Sequence, residues 1–555
     1  MKHASMIAVI ISLIMLLSAF AVLNNNENQA NNIIPYNQLN NQIMKIVAIN
    51  NSYVYYHHAT SYGKATFPSS FSKVILYYKN SYKSNPWDYS YAITINGIQI
   101  ASGNTNETEN TTVSINITEY ASLFAGKTVN VTANTAEWEK TYSAYQSVWF
   151  IVYPGAMPME PNKIIGVFNN TGSYTGKDPV KNILIPYNTS LKRNVTFPEN
   201  VTAAFLNLYI LQNGNDEFWY SNQPPFREFI ISVNKTIIAR VFPYPNIQTG
   251  GINLFNWQPI HAIGALMDKP YKINITPFIK ILNGTKNVNL TIVNNEDQWI
   301  RIGLNFLLYT GNNVKSSYNV YYKEIYNYKQ NPKTVNEIIP CSAEYLNDSQ
   351  YVLIKYDVSS LINNEIIYRN LTDKFIASNT EYDPNENIIN KYQNGYIINV
   401  TEKTKMYDII TCDYTTINNG YKNVTMKTST YSVNLNYACN IILNDNYQLT
   451  GIAIKDTLTQ TRDISVTNVT SHGYVISSNN MISDDSVYGH DAFEGIINNG
   501  VITKMDYNHD NTMRIDIHIY STGVKTNGYE HIEYAVNNST VNRNGVMVLN
   551  IYEKL

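Results

Sequence analysis

Two loops set an acid beside an indole in a chain of 555 residues of which only 15% are charged. One is Trp87-Asp88, the other Glu217-Phe218-Trp219. A carboxylate in such a loop can take the proton of an attacking water or accept a hydroxyl. The flat apolar face of Trp87 or Trp219 can lie against a sugar ring. Arg227 follows Glu217 and offers a cationic fork. Glu137-Trp138 is a third acid–indole pair. Hydrolysis by such a carboxylate needs a positioned water and fixed donors for the charge that develops. A general base supplies about 10²–10⁴ in rate, so the remainder must come from positioning. Two carboxylates sharing one cleft raise at least one pKa. Taken singly, each residue has a plainer reading. Trp87 can be a core side chain beside a solvated turn acid, Glu217 a structural partner of Arg227, and Glu137 a surface strand acid. Asp216 and Glu228 are expected to be supporting or solvated, and Trp257 to pack in a core.

The elements that must position these loops repeat. Ala65-Thr66-Phe67-Pro68 and the apolar run Val74–Tyr78 find an echo in Val195-Thr196-Phe197-Pro198 and Ala204–Ile210. An acid–tryptophan loop follows each run, then a strand ending near Asn96-Gly97 or Asn234-Lys235. Ile115-Asn116-Ile117-Thr118 matches Ile273-Asn274-Ile275-Thr276, and the segment from Gly126 matches that from Gly284. Each unit closes on an apolar strand, Val148–Tyr153 or Leu304–Tyr309. Alternation such as Ala92-Ile93-Thr94-Ile95-Asn96 has the period of two that marks a half-buried strand. Short strands without a long amphipathic helix predict an all-β chain. We expect two tandem jelly-roll β-sandwiches followed by a further β-rich C-terminal domain. The expected divisions are 1–29, 30–160, 161–313 and 314–555, the last with room for two sub-lobes. Its strands include Tyr351–Tyr356 and Ile515–Tyr520, with turns at Asn363-Asn364, Asn418-Asn419-Gly420 and Asn498-Asn499-Gly500. Clefts between domains are common ligand sites, so the acidic loops are expected to share one.

Formal net charge is −2, so no basic field draws nucleic acid. Lys2 and His3 precede an apolar run from Met6 to Leu23, and Ala19-Phe20-Ala21 offers small residues for signal-peptidase cleavage. The alternative is an uncleaved anchor, since the run approaches the ~18 residues a span needs. Either way the protein is expected to be secreted or cell-surface. Asn-X-Ser/Thr sequons such as Asn116, Asn194, Asn274, Asn399 and Asn468 are then glycosylation acceptors. Cys341, Cys412 and Cys439 suggest one disulfide and one thiol, with the pairing open. Asp506–Asp510 begins like a calcium loop but lacks its sixth-position Gly and twelfth-position Glu. His57-His58 reads as solvated.

The stretch Asn215–Asn222, with Pro225-Phe226-Arg227-Glu228, resembles the signature of the peptide:N-glycanase A family. So do Phe242-Pro243-Tyr244-Pro245, Thr249–Asn253, Trp257-Gln258-Pro259-Ile260 and the run from Ile263-Gly264-Ala265 to Ile275–Phe278. The first unit is similar to the N-terminal half of bacterial peptide:N-glycanase F through Lys64–Pro68, Tyr78-Lys79-Asn80 and Trp87-Asp88. The resemblance implies two side-by-side jelly rolls with the active site between them. It implies hydrolysis of the β-aspartylglucosylamine amide of N-glycosylated peptides, converting Asn to Asp without metal or organic cofactor. It makes Asp88 the main catalytic residue, with Glu217 assisting. Glu137 is the nearest match to a further Glu, offset by one position. Two other readings stand beside it: a non-catalytic glycan-binding or cell-envelope protein, and a glycosidase using Asp88 and Glu217 as an acid–base pair.

Overall fold

The structure is a computed structural model. It describes residues 42–84, 89–105, 110–135, 140–168, 183–184, 190–212, 228–242, 270–293 and 299–311, and beyond these the strands of residues 316–553. The first unit comprises β1 (Met44–Tyr55), β2 (Thr60–Thr66), β3 (Lys73–Tyr82), β4 (Ser90–Ile95), β5 (Ile98–Asn104), β6 (Asn110–Asn116), β7 (Thr128–Thr135) and β8 (Ser143–Tyr153). They form two four-stranded sheets, ordered β1-β8-β3-β6 and β2-β7-β4-β5. Every pairing in them is antiparallel.

The second unit repeats this order. It comprises β9 (Lys163–Phe168), β10 (Ile183–Leu184), β11 (Ser190–Phe197), β12 (Val201–Gln212), β13 (Glu228–Val233), β14 (Thr236–Val241), β15 (Tyr271–Asn274), β16 (Gly284–Val293) and β17 (Trp299–Thr310). One sheet runs β10-β17-β12-β15, with β9 also on β17, and the other runs β11-β16-β13-β14. Thus β12 stands for β3, β13 for β4 and β17 for β8.

Alternation explains the layers. Along β3, Val74, Leu76 and Tyr78 are buried while Lys73, Ile75, Tyr77 and Lys79 are half-exposed. The inward set meets Ile93, Ile95, Val129 and Val131 from the opposite sheet in one core. In the second unit Ala204, Leu206 and Leu208 meet Phe229, Ile231, Val288 and Leu290. Each such side chain, taken from water, contributes roughly 1.5–3 kcal/mol.

The duplication extends to single hydrogen bonds. The amide of Thr118 donates to Asn116 Oδ1 at 3.0 Å, and that of Thr276 to Asn274 Oδ1 at 3.0 Å. Each threonine hydroxyl oxygen then accepts from the start of the third strand or its equivalent, from the Val74 amide at 2.9 Å and the Ala204 amide at 3.2 Å. The hairpins match as well. Asn96 and Gly97 have φ of 50° and 79°, and Asn234 and Lys235 have 45° and 75°. Both φ values of a two-residue turn are then positive, the geometry that follows strand twist. The side chain of Asn96 accepts from the Asn130 amide at 3.0 Å, and that of Asn234 from the Asn287 amide at 2.9 Å.

The units meet along a polar seam. Asn207 donates to Glu119 Oε1 at 2.6 Å and to the Tyr120 hydroxyl at 2.8 Å. The Tyr120 and Tyr209 hydroxyls are 2.7 Å apart, and Tyr209 donates to the Ile100 carbonyl at 3.0 Å. Asn305 donates to the Gln99 carbonyl at 2.6 Å, and Lys272 pairs with Glu119 at 2.5 Å. A Cβ on Gly303 would stand 2.6 Å from the buried Gln99 side chain, so glycine permits the approach there. Burial, then the Glu119 carboxylate, raises the pKa of Glu160 beside this seam.

Beyond Ser316 the architecture changes. A single nine-stranded antiparallel sheet contains β18 (Ser316–Asn336), β19 (Ser342–Ile362), β20 (Glu365–Pro384), β21 (Asn390–Tyr392), β22 (Gly395–Asn418), β23 (Tyr421–Asn444), β24 (Leu449–His472), β25 (Val475–Asn498) and β26 (Val501–Thr522). Two small two-stranded sheets follow it, Tyr534–Val536 with Ile551–Glu553 and Thr540–Val541 with Met547–Val548. The continuous sheet of residues 316–522 corrects one expectation. Its principal strands are 20 to 24 residues long, not short. Asp506–Asp510 lies within β26. The hairpin positions do follow the sequence: Ile362 pairs with Glu365, Asn418 with Tyr421 and Asn498 with Val501. The same register separates two cysteines. Cys412 lies opposite Lys427, whereas Cys439 lies opposite Val400. Twelve rungs separate them, about 40 Å along the strands, and a disulfide needs Cα atoms within about 7 Å.

Candidate active site

In the first unit, β4 begins at Ser90, directly after the loop that holds Trp87 and Asp88. Ser90 pairs with Asn104 at the end of β5, and Tyr91 pairs with Thr135 at the end of β7. The connections 85–88, 106–109 and 136–139 therefore leave from adjacent strands at one end of one sheet. Asp88 belongs to the first and Glu137 to the third. The second unit has the same plan. Glu228 pairs with Val293 at the end of β16, and Phe229 pairs with Val241 at the end of β14. Connections 213–227, 243–269 and 294–298 leave from that end, and Glu217, Trp219 and Arg227 belong to the first of them. Asp88, Trp87, Glu137, Glu217, Trp219, Arg227, Asp216 and Trp257 all lie outside the described residues, as does the Met6–Leu23 run. Among the described residues no helix is long and apolar enough to cross a membrane.

The ground under the first set of loops is well packed. Tyr89, the residue after Asp88, is fully buried. Its ring meets Tyr142 edge-on at 4.8 Å and Tyr82 at 5.7 Å. Its carbonyl accepts from the Thr105 amide at 2.8 Å and from the Thr105 hydroxyl at 3.1 Å. The Tyr82 hydroxyl lies 2.6 Å from Thr105 Oγ1. Burial holds that phenol well above its ordinary pKa, with Tyr142 adding to the effect, so it stays protonated. At the end of β7, Thr135 Oγ1 accepts from Gln146 at 2.7 Å, and Ser61 donates to Gln146 Oε1 at 2.7 Å. A loop rooted in such a layer departs from a fixed position, which is what a catalytic carboxylate requires.

The second unit roots its loops differently. Glu228 and Arg240 form an ion pair with side chains only 1% and 7% exposed. By register they occupy the places of Ser90 and Ser102 in the first unit. Of the two readings of Glu228, supporting or solvated, this rules out the solvated one. Glu228 is buried and paired, because its strand starts against the core and Arg240 arrives diagonally from β14. The partner was invisible beforehand, since only strand register joins the two. The Tyr82–Tyr89–Tyr142 cluster was missed for the same reason, its members being scattered through a tyrosine-rich chain.

Residues 34–303 match the family described as peptide N-acetyl-β-D-glucosaminyl asparaginase amidase A. That stretch is similar to the peptide:N-glycanase A family. A relative in Prunus dulcis, named peptide-N4-(N-acetyl-β-glucosaminyl)asparagine amidase A, is 28% identical over 253 residues. That match covers 39% of this chain and 44% of the relative, so the chain spans under half of the relative's length. Among solved structures, PNGF-II is similar at 13% identity and a TM-score of 0.39, over 49% of this chain and 66% of that one. The PNGase F structure from Flavobacterium meningosepticum is similar at 16% identity and a TM-score of 0.37, over 49% and 96%. The stretch matched to the peptide:N-glycanase A family begins ahead of β1 and ends within β17. It therefore takes in the first unit, the second as far as the start of β17, and all six loop connections described above.

Proposed function

We propose that this protein is a glycoamidase. It hydrolyses the amide joining an N-glycan to its asparagine, converts Asn to Asp and releases the glycan as a glycosylamine. The family match over residues 34–303 carries this reading. The strand orders 1-8-3-6 and 2-7-4-5 support taking each unit as a jelly roll. In this reading the acidic loops of the two units share a cleft. Asp88 activates or orients the water, and Glu217 assists it with Arg227 alongside. Trp87 and Trp219 bind sugar rings, and Glu137 has a supporting role at the same sheet end as Asp88. Positioning and fixed donors supply most of the rate. The substrate is an N-glycosylated peptide or glycoprotein, met outside the cytoplasm if Met6–Leu23 exports the chain.

The test is digestion of a defined glycopeptide followed by mass spectrometry. The expected product carries Asp in place of the linkage Asn and has lost the whole glycan. Sugar left on an intact Asn would indicate a glycosidase instead. An unaltered glycopeptide that is nonetheless retained by the protein would indicate a glycan-binding protein.

A further inference from the structure

We propose that the outward face of the β1-β8-β3-β6 sheet binds an acidic polysaccharide, at a place separate from the acidic loops. The four strands of this sheet contain no Asp or Glu. Their outward positions carry rings and lysines together. Lys45 Nζ lies 5.3 Å from the ring centre of Trp149, whose other neighbour is Tyr77, stacked at 5.3 Å. Lys73 lies 5.6 Å from the Tyr153 ring and Lys83 5.6 Å from the Tyr145 ring. Tyr145 also meets Tyr53 at 5.3 Å, and Tyr53 stacks on Tyr55 at 5.9 Å. Tyr53 and Tyr55 remain 54% and 45% exposed, so these rings cluster without being covered.

The duplicated unit supplies the comparison. By register, Tyr77 and Trp149 stand where Asn207 and Asn305 stand in the second unit. There the equivalent face is closed by the first unit, and both asparagines donate across the seam. The first unit's face keeps the same plan but exchanges seam-forming amides for rings and cations. A ligand suited to it brings apolar ring faces for the tyrosines and negative charge for Lys45, Lys73, Lys79 and Lys83. It also brings hydroxyls for the outward Thr112 and Ser114 on β6. An acidic sugar chain has all three. A single-stranded DNA has the first two but lacks free hydroxyls along its chain for those two residues.

The test is binding of the full chain to polygalacturonate, with neutral dextran and oligothymidylate as comparators. The wild-type chain is expected to bind polygalacturonate alone. Raising salt from about 0.05 to about 0.5 M should weaken that binding. Replacing Lys45, Lys73 and Lys83 together by alanine should weaken it about tenfold or more and flatten its salt dependence. Tyr53→Ala with Tyr55→Ala should weaken it while leaving the salt slope intact. Lys192→Ala, an exposed lysine on β11, should bind as wild type does. Melting curves of the surface variants confirm that the fold persists. No binding by the wild type, equal binding by the lysine variant, equal binding to dextran, or tighter binding to oligothymidylate would each overturn the proposal. The readout needs no turnover, so it stands or falls independently of the glycoamidase assay.

Discussion

Exchanging Asp88 for asparagine keeps the shape of the side chain and removes its basicity. If Asp88 activates the water, Asp88→Asn lowers glycopeptide cleavage by at least about a hundredfold and leaves the melting temperature unchanged, because Tyr89 still anchors the loop. Undiminished kcat/KM in that variant would remove Asp88 from the mechanism. Glu217→Gln should likewise depress kcat/KM. Glu228→Gln behaves in the opposite way: it removes the buried carboxylate that pairs with Arg240. Breaking such a pair costs about 3–5 kcal/mol, so denaturant unfolding should reveal a large loss of stability. The contrast would separate residues proposed to act from residues that hold. In the sequence the proposed catalytic residues stand out through acid–indole pairs and their flanking signature. The second kind does not, because Glu228 and Arg240 become neighbours only through register.

Hairpins and strands were readable to the extent that their residues constrain the backbone locally. Asn96-Gly97, Asn418-Asn419-Gly420 and Asn498-Asn499-Gly500 mark turns through their tolerance of positive φ, and strand pairing places a reversal at each. Gly97→Ala forces a Cβ into φ of 79° and should cost about 1–2 kcal/mol in unfolding free energy. Lys235 already bears that strain, so Lys235→Gly should be neutral or slightly stabilising in the same measurement. Strand length was not readable. Between turns breakers are few in the C-terminal chain, Pro332 falling on the edge strand β18 where a missing amide is tolerated, and Thr, Tyr and β-branched residues continue extended structure through intervening asparagines. Register there yields a sharp expectation about thiols. Peptide mapping without reduction should find no Cys412–Cys439 bridge, and its presence would require a different pairing of β22 with β23.

At the scale of the molecule, the seam couples the two units through phenols that must stay neutral. Burial, helped by the Glu119 carboxylate, raises the pKa of Tyr120 from 10.0 to about 12. Tyr209 is held well above its ordinary value by burial and by Tyr120. A phenol raised in the folded state contributes stability that is complete below its unfolded pKa. That stability is lost as pH rises through the folded pKa. Calorimetry between about pH 10 and 12 should show the melting temperature of these units falling, and Tyr120→Phe should soften the fall. For Tyr120 a pKa of about 12 corresponds to roughly 3 kcal/mol.

The meander beyond Ser316 also has a mechanical meaning. Each long strand from β22 to β26 is bonded to the one just before it in the chain. Tension drawn across the sheet would load its rungs singly, beginning at an outer edge, as a zipper opens from its slider. Each released strand lets out about 80 Å of chain. The region would therefore lengthen in steps at modest force and re-form when slack, shielding the paired units upstream from the pull.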